Sequence, residues 1–379
     1  MWNVRWVRGL HRPWLNFSLA VLAAATMTGS ASATDSLLCG DQGLCGESCT
    51  GDVYSGPLTG PVNPPDQPIV PDSAPPVFEP TMQADALFAG GVEGTLTSPG
   101  HAPGYIDWAV PRTNFRMRFD AGFDSNRPDR AEFFYAQYQN PGPGNLGDGI
   151  VNTTVNFQDI RGYLELAAND RFSVFAELPI RFLQTESQGG RGLQDSGNTN
   201  GIADLEAGFK YAISNDPSHF LTFQMKTYIP TGNASDGLGT DHVSLEPGLL
   251  FNSRVNSRLD IFAELRDWIP INGSTLNGQD YAGNVLRYGV GAAYTAHCSE
   301  SVEVSPIVEF VGWSVLDGQV FDERTLTNVS AETTIVNAKV GLRTLFKKSG
   351  NSLYVGYGNA LTGQRWYENF LRVEYTIFM

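Results

Sequence analysis

The side chains best spaced for covalent chemistry are His242 and Ser244 in the triplet His242-Val243-Ser244, with Glu246 two places further on. A histidine can act as base toward a serine hydroxyl, and a carboxylate can orient the ring. In an extended chain, however, residues i and i+2 stand roughly 7 Å apart, beyond the reach of a direct hydrogen bond. All three also lie on the polar side of their segment, whereas lipid would arrive from the apolar side. Lipid hydrolysis is therefore the last of three readings carried forward, and no residue is assigned a catalytic role. Asp195, Asn198, Asn200 and Asp204 offer oxygen ligands, but their spacing does not fit a calcium loop of the EF-hand kind, and they suit turns. Cys39, Cys45 and Cys49 lie in CGDQGLCGESC with no histidine near them. That spacing matches no common zinc or haem pattern, so a disulfide or an interchain link is expected. No phosphate loop or paired-cysteine redox motif is present. Neither a cofactor nor a metal is expected. With 25 Lys and Arg against 40 Asp and Glu, the formal charge of −15 speaks against a nucleic-acid partner.

The chain divides into three parts by composition. Residues 1–33 read as a signal peptide: Arg5, Arg8 and Arg12, an apolar stretch from Trp14 to Met27, then Ala31-Ser32-Ala33 as the cleavage signal. That stretch is shorter than the roughly 20 residues of a membrane helix. Export would bring the cysteines into a compartment where thiols oxidise. Residues 34–111 read as a largely irregular periplasmic linker. Proline occurs at 57, 61, 64, 65, 68, 71, 75, 76 and 80, which stiffens the chain and removes ladder donors.

Residues 112–379 alternate with period two. In RFSVFAELPIRFL, Phe172, Val174, Ala176, Leu178, Ile180 and Phe182 oppose Arg171, Ser173, Glu177 and Arg181. Successive strand side chains point to opposite faces, so each such segment has one apolar and one charged side. Twelve segments are expected, near 112–123, 154–167, 170–184, 202–214, 218–231, 241–254, 257–271, 284–296, 301–316, 333–346, 351–361 and 366–379. Their lengths suit tilted transmembrane strands, and short and long connections alternate between them. The predicted fold is all-β, an antiparallel transmembrane β-barrel of about twelve strands in the bacterial outer membrane. AEFFYAQY (131–138) also alternates, but a thirteenth span would put the N-terminus outside the cell, so 124–153 is assigned to an outer loop. The final strand, Leu371 to Met379, resembles the signal read by the barrel-assembly machinery, although Phe378 precedes a terminal Met379.

A charge facing lipid near the midplane costs about 2–4 kcal/mol, so the charged side should face the lumen. The basic candidates are Arg116, Arg118, Arg161, Arg171, Arg181, Lys210, Lys226, Arg266, Arg287, Lys339, Arg343 and Arg372. The acidic ones are Asp120, Asp159, Glu165, Glu177, Asp204, Glu206, Glu246, Asp260, Glu264, Glu303, Glu309 and Glu374. Balanced charges leave two possibilities open: a hydrated, weakly selective pathway, or a narrow lumen filled with ion pairs that conducts only after movement.

The runs NTNGIADLEAGFKYAI, TYIPTGNASDGLGTDHVSLEPGLLF, FAELRDWIPI and NVLRYGVGAAY resemble the outer-membrane transporters associated with the meta pathway of phenol degradation. The resemblance covers about 155–379 and leaves out the Cys/Pro-rich part. It implies a barrel that passes small solutes, aromatic or apolar ones among them, with no cofactor and no settled substrate residues. Three readings follow: a passive channel or transporter with a small solute and outer-membrane lipid as partners, a structural barrel that tethers the envelope without transport, and the lipid hydrolase.

Overall fold

The structure, a computed structural model, describes residues 100, 102–125, 150–189, 194–271, 275–276, 279–280, 282–322, 327–330 and 332–379. Alternation becomes strand along most of this length. In chain order the first strands are β1 (Asn114–Ser125), β2 (Ile150–Ala167), β3 (Phe172–Gly189), β4 (Gln194–Ile202), β5 (Leu205–Asp216), β6 (His219–Ile229), β7 (Ser244–Asn256) and β8 (Leu259–Pro270). A short hairpin of β9 (Thr275–Leu276) and β10 (Gln279–Asp280) follows. Next come β11 (Val285–Tyr294), β12 (His297–Cys298) and β13 (Val302–Val315), and a second hairpin of β14 (Gln319–Asp322) and β15 (Thr327–Ser330). The chain closes with β16 (Thr333–Phe346), β17 (Asn351–Ala360) and β18 (Asn369–Phe378).

The wall is β11-β8-β7-β6-β5-β3-β2-β1-β18-β17-β16-β13, and β11 also pairs with β13, so the antiparallel sheet of twelve strands closes on itself. Closure leaves no unpaired edge, which a sheet in hydrocarbon cannot tolerate. β4 pairs with β3 only and continues into β5 after Ala203 and Asp204. With the outer part of β2, it extends β3 beyond the wall. That is one departure from expectation: within 185–201, which reads as a loop, residues 185–189 and 194–201 form strand. The reason is composition. Strand beyond the bilayer has no need of an apolar outer face, and QDSGNTNGI shows none. Residues 131–138 lie outside the described residues.

The barrel is inverted relative to a water-soluble protein. Outward side chains such as Leu178, Phe182, Leu265, Val290, Phe310 and Val340 are exposed. Inward ones such as Asp159, Asp260 and Glu309 are fully buried. Val290 lies mid-strand on β11 and is 58% exposed, between Ala263 and Phe310. Val290→Arg is expected to lower the stability of the lipid-refolded barrel by about 2–4 kcal/mol, read from its urea unfolding midpoint. The same change at Ser257, in the exposed turn before β8, should cost far less.

Short turns gather at one end. They are 168–171, 217–218, 257–258, 295–301 and 347–350, and β1 begins and β18 ends there too. Cys298 sits in one of these connections and is disulfide-bonded. The other cysteines of the chain are Cys39, Cys45 and Cys49, which lie outside the described residues.

Candidate functional site

The charged face of the wall is condensed into a network. Asp159 receives Arg181 Nε and Nη2 at 2.8 and 2.7 Å, and Arg161 Nη2 at 2.8 Å. Arg161 Nη1 reaches Glu177 at 2.9 Å and Glu206 at 3.0 Å, and Lys226 also binds Glu206, at 2.9 Å. Arg372 holds both oxygens of Asp120, at 2.7 and 2.8 Å. Glu374 gathers Arg118 and Arg343, each at 3.2 Å, with Arg116 at 3.9 Å. Glu165 takes Lys210 at 3.0 Å and the hydroxyls of Tyr163 and Ser173. Glu264 is bound by Arg266 and by Arg287 at 2.7 Å, and Asp260 by Arg254 at 3.0 Å. Strand register explains the economy of these contacts. Arg118 lies directly opposite Glu374, and Asp120 opposite Arg372.

Several candidates sit otherwise. Arg171 is exposed in the turn between β2 and β3, not on the inner face, because β3 begins one residue later, at Phe172. Asp204 is buried but serves a loop: it accepts Gly232 N at 3.0 Å and Thr240 N at 2.8 Å. A Cβ at Gly239 would collide with its carboxylate, so the PTG and GLGT runs are built around this one acid. Glu303 is buried at the start of β13. Glu246 accepts the Tyr228 hydroxyl and Arg266 Nη1, the latter at 3.3 Å. Ser244 Oγ is buried without a hydrogen-bond partner among the described residues, and His242 packs on Trp268 with ring centroids 6.3 Å apart. The base and nucleophile of a hydrolase are therefore not assembled.

The feature that sequence reading missed lies inside this wall. Residues 34–111 were expected to form a linker outside the barrel, yet from Ala102 to Val110 the chain is almost wholly buried within it. The segment is re-entrant. It starts near β13's short-turn end, where a Cβ at Gly100 would meet Glu303. It reaches mid-lumen at Tyr105 and returns to the start of β1. Each step is fastened to the wall. Arg343 Nε donates to Ala102 O at 3.0 Å, and Arg372 Nη1 to Gly104 O at 3.3 Å. The Glu309 carboxylate accepts the backbone N–H groups of Gly104, Tyr105 and Ile106 at 2.8–3.2 Å. Asp107 sits 2.9 Å from Arg266 and 3.9 Å from Lys226, and accepts Gln224 Nε2 at 3.1 Å. On the return leg Ala109 N donates to Asn252 Oδ1 at 3.1 Å, and Thr222 Oγ1 donates to Ala109 O at 2.5 Å.

An irregular segment can be buried only if its backbone groups find partners, and here the wall supplies them. Among the described residues a cavity of about 30 Å³ is bordered by Tyr105, Asp107, Arg118, Arg161, Glu206 and Phe370. That is room for about two water molecules. Tyr105, Asp107, Thr222 and Asn252 were not among the candidates. The available signal was the apolar cluster Tyr105, Ile106, Trp108 and Val110 directly after a proline-rich stretch.

No family model matches the chain, and no curated protein matches it by sequence. Solved structures are similar in chain path. The COG4313 outer membrane channel from Pseudomonas putida F1 is 14% identical, with 73% of this chain and 99% of that one covered and a TM-score of 0.48. The transport unit of the autotransporter AIDA-I from Escherichia coli is 12% identical, with 70% and 90% covered and a TM-score of 0.46. The NanC porin is 11% identical, with 69% and 99% covered and a TM-score of 0.40. The fold itself stands on the strand pairing described above.

Proposed function

We propose that this chain is an outer-membrane β-barrel channel for passive passage of small solutes, with residues 102–113 as a plug that closes it. One observation carries the reading. The charged interior of the wall encloses a segment that belongs to no strand and that continues directly into β1. A tethering barrel without transport needs no lumen lining of charges, nor a separable insert within it. The apolar outer belt supports insertion in lipid. The short-turn end, from which the plug enters, is then periplasmic, as in outer-membrane barrels generally. The likeness to meta-pathway transporters fits small solutes, aromatic ones among them.

Liposome swelling tests the reading directly. The full chain and a variant with 102–110 replaced by Gly and Ser residues are reconstituted and challenged with small sugars and with aromatic solutes. Flux through the plug-replaced barrel, well above that of the full chain, is expected. Absence of flux from both folded proteins would overturn the channel.

The cysteines bear on how the plug is anchored. Cys298 is disulfide-bonded at the short-turn end. Peptide mapping of the oxidised protein is expected to join the Cys298 peptide to one that contains Cys39, Cys45 or Cys49, and reduction should separate the two. A Cys298 peptide that runs alone without reductant would refute the link.

A further inference from the structure

Asp107 is the one acid in residues 102–113, and it sits in a seat that belongs to the wall. Its carboxylate lies 2.9 Å from Arg266 Nη1 and 3.9 Å from Lys226 Nζ, and accepts Gln224 Nε2 at 3.1 Å. Gln224 and Lys226 stand on β6 and Arg266 on β8, and all three are buried. Arg116 and Lys210 attract the same carboxylate from further away. The two nearer cations have other anchors besides Asp107: Arg266 is held by Glu246 and Glu264, and Lys226 by Glu206. The cavity that Asp107 borders has the same sign as the seat. Six Arg and Lys side chains line it, against Asp120, Glu177 and Glu206 from the wall and Asp107 from the plug. Once the plug leaves, six cations face three carboxylates there.

We propose that the seat of Asp107 is a carboxylate subsite on the solute path, filled in the closed barrel by the plug's own acid and in the open barrel by a small solute that bears a carboxylate. The proposal rests on the channel reading and names a group that the solute carries. Taking a carboxylate out of water is costly unless cations and donors already stand in place to receive it. Here a guanidinium, an ammonium and an amide N–H converge on one position, and all three come from paired wall strands. The seat is therefore preorganised, with little ordering left to do on binding. A neutral amide of the same shape still accepts hydrogen bonds but lacks the charge, so the seat should discriminate against it. A halide has the charge but offers no second oxygen to share between Arg266 and Gln224. A carboxylate that takes the seat competes with Asp107 and favours the open barrel.

The test uses the full chain, with acetate, acetamide and chloride as probes. Binding is read by calorimetry in detergent, and current separately in planar bilayers. Asp107→Ala removes a carboxymethyl group that acetate matches in size, so acetate should bind at least about tenfold tighter than to the unmodified chain. Acetamide and chloride should bind the same variant about tenfold more weakly than acetate does. Adding Gln224→Leu, which removes one donor to the carboxylate, should weaken acetate by about tenfold. Should the alanine barrel fail to show heat-modifiable gel mobility, the barrel with 102–110 replaced by Gly and Ser residues carries the same measurements. Acetate that binds no tighter than acetamide or chloride, or that is indifferent to Gln224→Leu, would overturn the proposal. Under a gradient of potassium acetate, the reversal potential of the plug-replaced barrel should show acetate carrying more of the current than potassium. A current carried mainly by potassium would also overturn it. Selective acetate binding without any current would instead count against the channel, so the two failures are distinguishable.

Discussion

Glu309→Ala is expected to move the barrel toward its conducting state by roughly a hundredfold, about 3 kcal/mol in the balance between plugged and open forms. The reasoning starts from donors. A peptide N–H withdrawn from water needs a partner, and a hydrogen bond to a charged group contributes about 1.5–3 kcal/mol net. Glu309 is fully buried and serves three consecutive N–H groups at the tip of the plug. Alanine leaves the backbone ladder of β13 intact, although it also removes the carboxylate's attraction to Lys339 and Arg372 of the wall. Its backbone register opposite Lys339 and Gly291 stays as it is. Single-channel recording in planar bilayers would show long closed intervals for the unmodified chain and frequent openings for the variant. Glu309→Gln, which still accepts hydrogen bonds but has lost the charge, should fall between them. An alanine variant that stays as quiet as the parent would mean that Asp107, on Arg266 and Lys226, holds the plug by itself.

The wall was legible in the sequence and the plug was not, for the same physical reason. β16 occupies 333–346 as expected, since TTIVNAKVGLRTLF alternates from Val336 to Arg343 and the turn after it carries Gly350 at φ 70, a conformation glycine adopts freely. Lipid on one side and charge on the other force that alternation at every position. QDSGNTNGI carries no apolar alternation, so nothing in it marks β4. Residues 102–110 are buried through their peptide groups, with Glu309, Arg343 and Arg372 as partners some 200 or more residues away in sequence. Backbone hydrogen bonding leaves no side-chain period to read. The inner face follows from strand parity, and its one misplacement, Arg171, is an end effect: parity holds, but the strand stops at Phe172. Parity says which way a side chain points and nothing of whom it meets. Asp204 shares its face with Glu206 yet binds a loop, while Glu206 is held by Arg161 and Lys226.

The second large effect concerns the network that fills the wall. Asp159→Ala should destabilise the refolded barrel by about 3–5 kcal/mol, the range for removing one partner of a buried ion pair. Asp159 is fully buried and binds two guanidinium groups, those of Arg181 and Arg161. Without the carboxylate both cations stay at the barrel's centre. Arg161 retains Glu177 and Glu206 at hydrogen-bond distance, whereas Arg181 loses its bidentate partner and keeps only longer-range attraction such as that of Asp204, so most of the cost should fall on Arg181. The second substitution is therefore diagnostic. Asp159→Ala with Arg181→Met removes the cation together with its bidentate partner, and should recover more than half of the lost stability in urea unfolding of lipid-embedded protein. Recovery of that size identifies the penalty as uncompensated charge. If the double variant is as unstable as the single one, the loss lies in packing against the plug, and the network matters as filler and not as electrostatics. The distinction bears on function, since a lumen held shut by balanced charge can open where a solute or an ion supplies the missing sign, whereas one held shut by packing opens only when the plug departs.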